Sequence, residues 1–377
     1  MGLPVYRSAA FVFETALEYA EVLGDRAPGY VYSRVDNPTA DAFAQGVAAL
    51  EGAHVEGPVV GQPFASGMAA ISTTLMSLTS AGAHVVAPRA VYGGTYSILR
   101  SVLDRFGVTS SFVDMTDLEA VRAAVRPETA VIWAETIANP TMTVADIPGL
   151  AAVSRETGTR LVVDSTFASP AVCRPLEHGA DLVLHSATKY LGGHSDVTGG
   201  VVVGAPELMA AIRHVRVDLG GSLSPDDAFL LHRGLATLPL RMERHCHSAL
   251  QVALALAEHP AVHRVDHPGL TNHPGHQLAV KLFDAGRYGA VVTVTPRGGR
   301  EAGLALCDHL QLISIATSLG GTHSKVSHAA STTHRQLDDD ALAAAGIGPA
   351  TVRVSIGLED PDDLIADLSA ALDRVGS

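Results

Sequence analysis

Residues 181–205 read "DLVLHSATKYLGGHSDVTGGVVVGA". Two short, wholly apolar runs flank one lysine, Lys189, which stands beside the Ser186/Thr188 hydroxyl pair and before a glycine-rich turn. Apolar runs of this length without alternation belong to strands buried on both faces of a sheet. A lysine after such a strand is ordinarily a solvated charge. It becomes a nucleophile when its amine is deprotonated, and burial or a neighbouring cation favours that state. The small and hydroxyl residues around it suit a phosphate-bearing ligand.

Working outward, the same pattern recurs between Val59 and Gly204, in "HVVAPRA", "SSFVDM", "AVIWAET" and "RLVVDST". Helix-like segments such as "DLEAVRAAV" and "GLAAVSRET" lie between them. The alternation predicts an α/β fold with a mostly parallel central sheet, covered by helices on both faces. Ligands on such sheets sit beyond the carboxyl ends of the strands. Asn139, Asp164, Thr166 and Lys189 all fall there. A helical stretch is expected from Asp226 to His259, leading into a smaller C-terminal α/β domain. That domain should hold strand "GAVVTVTP", helix "REAGLALCDHL", strands "LISIATSL" and "TVRVSIGL", and helix "PDDLIADLSAALDRV". The expected division is an N-terminal segment (1–50), a large domain (51–245) and a small domain (246–377).

Bulk properties remove several function classes. A chain of 377 residues suggests two domains, and 47% hydrophobic residues supply ample core. A net charge of -13 argues against nucleic-acid binding, which favours a basic face. No apolar run reaches the roughly 20 residues of a membrane span. Cys173, Cys246 and Cys307 lie far apart, so neither a disulfide framework nor a zinc site is expected, and a cytoplasmic location is. His259, His263 and His267 are spaced by four, as metal ligands on a helix would be. Pro260, Pro268 and Pro274 break any such helix, so no metal is expected.

The remaining candidates each have two readings. In "FASGMAAISTTL", Gly67 and Met68 open an apolar helix, which makes an anion site, although Ser66 also reads as an ordinary N-cap. Tyr92 in "AVYGGTYSIL" is a ring-stacking phenol or a turn residue. Tyr32 and Arg34 in "YVYSRVDNPT" point the same way in an extended segment and suit a phosphate dianion. Arg353 in "TVRVSIGLED" needs an anionic partner if buried, either a substrate carboxylate or Glu359 or Asp360. Lys189, an acid such as Asp164 and hydroxyls at Ser186 and Thr188 are what pyridoxal 5'-phosphate asks of a sheet edge. The lysine forms the Schiff base, the acid faces the pyridine nitrogen and the hydroxyls meet the phosphate.

These motifs together resemble the Cys/Met-metabolism family of pyridoxal-phosphate enzymes: cystathionine γ-synthases, cystathionine lyases, methionine γ-lyases and O-acylhomoserine sulfhydrylases. The matching segments run through nearly the whole chain: "YSRVDNPT", "FASGMAAI", "VYGGTY", "ETIANP", "VVDSTFASP", "HSATKYLGGHSD", "RGLATLPLRMERH", "TSLGGTHS", "STTHR" and "VRVSIGLEDPDDLIADL". The resemblance implies a fold-type-I, aminotransferase-like architecture and a soluble enzyme acting on a small amino acid. By position it implies Lys189 as the Schiff-base lysine and Asp164 as the pyridinium partner. Tyr92 would stack on the ring, and Asn139 would lie near the cofactor's phenolic oxygen. Gly67, Met68, Ser186 and Thr188 would bind phosphate, with Thr166 also against the cofactor. Tyr32 and Arg34 would reach the neighbouring subunit's phosphate, which implies at least a homodimer. The segment before "LPVYRSAAFVF" is short for the family and leaves a homotetramer open. Ser318 and Arg353 would hold the substrate α-carboxylate.

The departures bear on substrate. Ser165 stands where the family commonly has Asn, Gly94 where methionine γ-lyases often have Cys, and Ala329 where a Pro is usual. Thr317 stands where cystathionine-handling members have Glu. A neutral hydroxyl is a weak anchor for the distal ammonium of cystathionine. The expected reaction is therefore γ-elimination of a sulfur amino acid such as methionine or homocysteine. The alternative is γ-replacement on an O-acylhomoserine or another vinylglycine precursor.

Overall fold

The computed structural model describes residues 2–332 and 339–375. Seven strands form the larger sheet: β1 (Val60–Phe64), β2 (His84–Pro88), β3 (Thr109–Val113), β4 (Thr129–Glu135), β5 (Arg160–Asp164), β6 (Leu182–His185) and β7 (Gly200–Gly204). Their spatial order is β1-β7-β6-β5-β4-β2-β3. The four pairings from β6 to β3 are parallel, and β7 runs antiparallel to both its neighbours. This is the mostly parallel α/β sheet that the apolar runs predict. Successive residues of a strand enter opposite cores: Ile132, Leu161 and Val163 on one face, Trp133, Val162 and Leu184 on the other. Two buried faces are why these strands read as continuous apolar runs rather than alternating ones.

The second sheet has five strands: β8 (Val262–Asp266), β9 (Val291–Pro296), β10 (Ser314–Ile315), β11 (Lys325–His328) and β12 (Val352–Ser355). They lie in the order β10-β11-β12-β9-β8. The core beneath the large sheet continues without a break to Val292, Val326 and Val354 of this one.

Three expectations need correction. The helical stretch 226–259 is two helices, Pro225–Leu235 and Leu238–Ala257, broken at Ala236-Thr237. Pro239 sits in the first turn of the second helix, where its missing N–H costs nothing. The strand expected over "LISIATSL" shrinks to Ser314–Ile315, because the chain turns away toward Ser318, whose φ is 76°. The edge strand β1, "VGQPF", is not among the expected strands. Its Pro63 is tolerable only because an edge strand pairs on one side. Among the described residues, no helix is long and apolar enough to cross a membrane, and no three His, Cys, Asp or Glu side chains come together as metal ligands.

Candidate active site

The carboxyl ends of β4, β5 and β6 open into a cavity of roughly 690 Å³, closed by the start of helix Gly67–Leu78, the turn at Tyr92 and the Ser318 loop. Every expected site residue lines it except Tyr32 and Arg34.

One end is built to receive an anion. The Ser66 hydroxyl accepts the Ala69 N–H (3.0 Å) and its carbonyl accepts the Ala70 N–H (3.1 Å). Ser66 is thus an N-cap as well as part of the cavity wall. The Gly67 and Met68 N–H groups, in the same first turn, have no protein acceptor among the described residues. They remain, with the positive end of the helix dipole, for a ligand. Gly67 is required here, since a Cβ would lie 2.7 Å from the Ser186 side chain. The Ser186 hydroxyl is available at the same point. Thr188 is not equivalent, because its hydroxyl both donates to the Gly199 carbonyl (3.2 Å) and accepts the Gly199 N–H (3.0 Å).

Asp164 ends β5 and is buried. Its Oδ1 accepts the Thr166 hydroxyl (2.5 Å) and the Thr166 N–H (3.0 Å), and Thr166 Oγ1 accepts the Ser186 N–H (2.8 Å). Thr166 therefore orients the acid and ties it to the Lys189 turn. Burial raises the Asp164 pKa, while Thr166 and the nearby His185 act to lower it. Oδ2 keeps no protein donor among the described residues, so one oxygen is left for a ligand.

Lys189 Nζ donates to Ser318 Oγ at 2.7 Å. Burial first, then the Arg353 and Lys325 cations, bring its pKa down to about 8. A usable fraction of the amine is then neutral near physiological pH. Ser318 owes its position to the left-handed backbone at φ 76°, a strained conformation for a residue with a Cβ. That backbone gives its hydroxyl to Lys189 and its carbonyl to Arg353 Nη2 (3.0 Å).

Arg353 is 5% exposed and carries an unmet need. Nη1 donates to Asn139 Oδ1 (3.2 Å), and Nε has no partner among the described residues. The structural carboxylates that could have neutralised it are engaged elsewhere. Glu359 accepts from the Ser324 N–H (2.6 Å) and hydroxyl (2.9 Å), and Asp360 faces Arg244 at 3.9 Å. Burial lowers the Arg353 pKa to about 10, so the side chain stays charged at neutral pH. A buried guanidinium with an orphan N–H fits an incoming carboxylate.

Tyr92 stands half-exposed at the mouth, and burial, Asp164 and Glu135 all raise its pKa. Its N–H donates to Glu135 Oε1 at 2.7 Å. Glu135 was not among the expected residues. The signal that finds Asp164, a carboxylate closing a parallel strand, applies equally to the last residue of "AVIWAE". Burial and then Asp164 push Glu135 up to about 8.

Tyr32 and Arg34 lie elsewhere on the surface. The Arg34 guanidinium sits 5.5 Å from the Tyr32 ring centre, and Nη1 donates to the Val217 carbonyl (2.7 Å). Thr317 lines the cavity and is exposed. The "STTHR" segment is described only through Thr332.

A lysine with a lowered pKa, a carboxylate with one free oxygen and an anion-binding helix start share one cavity. These groups fit pyridoxal 5'-phosphate. Comparison with known proteins agrees. Over residues 1–373 the chain matches the family model described as Cys/Met metabolism PLP-dependent enzyme. It is 43% identical to an L-methionine gamma-lyase of Pseudomonas putida, covering 98% of this chain and 92% of that protein. It is 41% identical to an O-succinylhomoserine sulfhydrylase of Pseudomonas aeruginosa, covering 98% and 90%. A solved structure from Campylobacter jejuni subsp. jejuni, carrying N'-pyridoxyl-lysine-5'-monophosphate, superposes with a TM-score of 0.94 at 33% identity, over 99% of this chain and 95% of that one. Lysine, acid, helix start and whole-chain similarity converge: this chain belongs to the Cys/Met-metabolism family of pyridoxal-phosphate-dependent enzymes.

Proposed function

We propose that the enzyme catalyses γ-elimination of a sulfur amino acid of the methionine or homocysteine type, giving a 2-oxo acid, ammonia and a thiol. The observation that carries this reading is the distribution of charge in the cavity. Its carboxylates, Asp164 and Glu135, both sit at strand ends on the floor, and Thr317 at the mouth is neutral. A substrate with a second ammonium beyond its sulfur finds no lining carboxylate there among the described residues, whereas a methylthio or thiol group needs none.

In this reading Lys189 would hold the cofactor through Nζ, Asp164 would face its ring nitrogen, and the Gly67 and Met68 N–H groups with Ser186 would meet its phosphate. When bound, pyridoxal 5'-phosphate supplies an electron sink for negative charge developing beside the amino-acid Cα. Arg353 orients the substrate through its α-carboxylate. Lys189 Nζ, partly neutral near pH 8, accepts a proton at Cα and can move it. Tyr92 Oη holds its proton, because burial and two nearby carboxyls raise its pKa, and is suited to protonate the departing sulfur. Tyr32 and Arg34, outside their own cavity, are assigned to the phosphate of a neighbouring subunit in a homodimer.

γ-Replacement on an O-acylhomoserine is the second reading, and Lys325 favours it. Its Nζ bonds to Ser195 Oγ (2.9 Å), and no ion pair forms with it among the described residues. It borders a smaller cavity that shares Thr188 and Ser318 with the main one, so a carboxylate on an acyl group would meet a cation. Asp196 and Asp227 border the same space and weaken that attraction.

Product analysis separates the two. Purified enzyme is given methionine, homocysteine, cystathionine or O-acylhomoserines, with and without added thiol. A 2-oxo acid and ammonia from methionine or homocysteine support elimination. A new thioether formed only from an acylated substrate and thiol supports replacement and sinks the first reading. Borohydride reduction followed by mass mapping should place the cofactor on Lys189.

A further inference from the structure

Glu135 does something that none of the roles above accounts for. It closes β4 in register with Asp164 on β5, so two buried carboxyls lie side by side beneath the cavity. Its Oε1 accepts the Tyr92 N–H at 2.7 Å. The Asn139 backbone N–H, four residues farther along the chain, acts on this carboxyl only to lower its pKa. Tyr92 is the N-cap residue of the short helix Gly93–Ser97, and its side chain makes no capping hydrogen bond. One side chain thus ties the loop after β2 to the end of β4.

We propose that Glu135 is a positioning residue that sets the backbone of Tyr92 so that the phenol meets the departing group in register. This rests on the role proposed above for Tyr92. A backbone N–H held by a buried carboxyl ties the loop after β2 to the end of β4. Its Asp164 neighbour disfavours a second charge, and burial works in the same direction. What the arrangement uses is the carbonyl-type acceptor, not the charge. A glutamine can supply that acceptor; an alanine cannot.

The test uses the holoenzyme. Wild type, Glu135→Gln and Glu135→Ala are compared for cofactor adduct on Lys189 after borohydride, for kcat and KM, and in a Tyr92→Ala background. The adduct should form in all three. Glu135→Ala should lower kcat by roughly 30-fold with KM within about threefold, the scale of losing a buried hydrogen-bonded anchor. Glu135→Gln should stay within about fivefold of wild type. In the Tyr92→Ala background, Glu135→Ala should add less than about threefold, because the two act as one unit. Glu135→Ala with kcat within about threefold of wild type overturns the proposal, as do multiplicative effects with Tyr92→Ala. If Glu135→Ala does not fold, Glu135→Gln decides alone: a folded, cofactor-loaded protein with a 30-fold defect shows that the acceptor is not what matters. An unmodified Lys189 in wild type would instead refute the cofactor assignment, a separate failure.

Discussion

Replacing Arg353 with lysine tests how the substrate is held. Among the described residues the guanidinium makes two bonds, to Ser318 O (3.0 Å) and Asn139 Oδ1 (3.2 Å), and Nε has no partner in a side chain that is 5% exposed. An α-carboxylate arriving at this edge completes the set. Lysine keeps the charge and loses the planar fork, so one arm of the carboxylate contact goes. A hydrogen bond to a charged group contributes about 1.5–3 kcal/mol, which predicts a loss of roughly 10- to 150-fold in kcat/KM. The carboxylate does not react, so it is held alike in ground and transition states. The loss should appear in KM with kcat nearly unchanged. Arg353→Met also deletes the cation and should fall further. It carries a second signature, because Arg353 is one of the cations that lower the Lys189 pKa. Removing it should move the Lys189-dependent limb of the pH–rate profile to higher pH, whereas Arg353→Lys should leave that limb in place. Steady-state kinetics from pH 6 to 10, with the Lys189 adduct measured in parallel, check both. An Arg353→Lys enzyme whose KM stays within about threefold of wild type would refute the assignment.

Three further outcomes are expected. Thr317→Glu should shift preference toward cystathionine by roughly tenfold if about 1.4 kcal/mol is recovered in the transition state; a wild type that already prefers cystathionine over methionine, homocysteine and O-acylhomoserines sinks the reasoning. Mixing Arg34→Ala with Lys189→Ala subunits should restore up to about a quarter of normal sites, since half of a random dimer population is hybrid and each hybrid holds one intact site; no recovery despite confirmed hybrids counts against shared sites. His267 is fully buried, and its pKa is lowered from 6.5 to about 4, chiefly by burial. Its unfolded form therefore takes up a proton that the folded form refuses, and stability is lost as pH falls from 6.5 toward 4. His267→Asn should lose less melting temperature between pH 7 and 5 than wild type does, and equal losses would remove His267 from the account.

The parts of the site legible in sequence are those that obey a one-dimensional rule. Asp164 and Lys189 follow apolar runs, and a parallel sheet delivers strand ends to one edge. Gly67 is legible because a helix start after a strand needs close approach. Arg353 shows the limit: its burial is readable from "TVRVSIGL", but whether Glu359 or a substrate neutralises it depends on contacts 30 and more residues away. Ser318 is similar, because nothing in "TSLGG" reveals that its own φ is positive. Glu135 passed as the last letter of a strand because its partners, the Tyr92 N–H and Asp164, come from two other elements. β11 was hidden by the polar residues of "KVSH", although Val326, Ser327 and His328 are all buried.

The charges in the cavity argue for a second chain. Two carboxyls side by side resist ionising together. At Asp164 two Thr166 donors and His185 work against the burial that raises its pKa. Burial and then Asp164 push Glu135 up to about 8, so Glu135 is largely a neutral acid at neutral pH. Arg353 balances a substrate carboxylate, with its contacts at Asn139 and Ser318 rather than at the helix start. Lys189 donates to Ser318 and, in the proposed role, is taken up by the cofactor's carbon. Among the described lining residues, the groups left for a phosphate of charge near -2 are then the Gly67 and Met68 N–H groups and the Ser186 hydroxyl, all uncharged. Neutral donors and a helix dipole of about half a charge leave most of that dianion uncompensated. Arg34, outside its own cavity and held beside Tyr32, is a cation free to serve a neighbouring subunit under the proposed homodimer. An isologous dimer that brings each Arg34 to the other subunit's helix start closes the balance at both sites at once, and the hybrid-dimer experiment measures that closure directly.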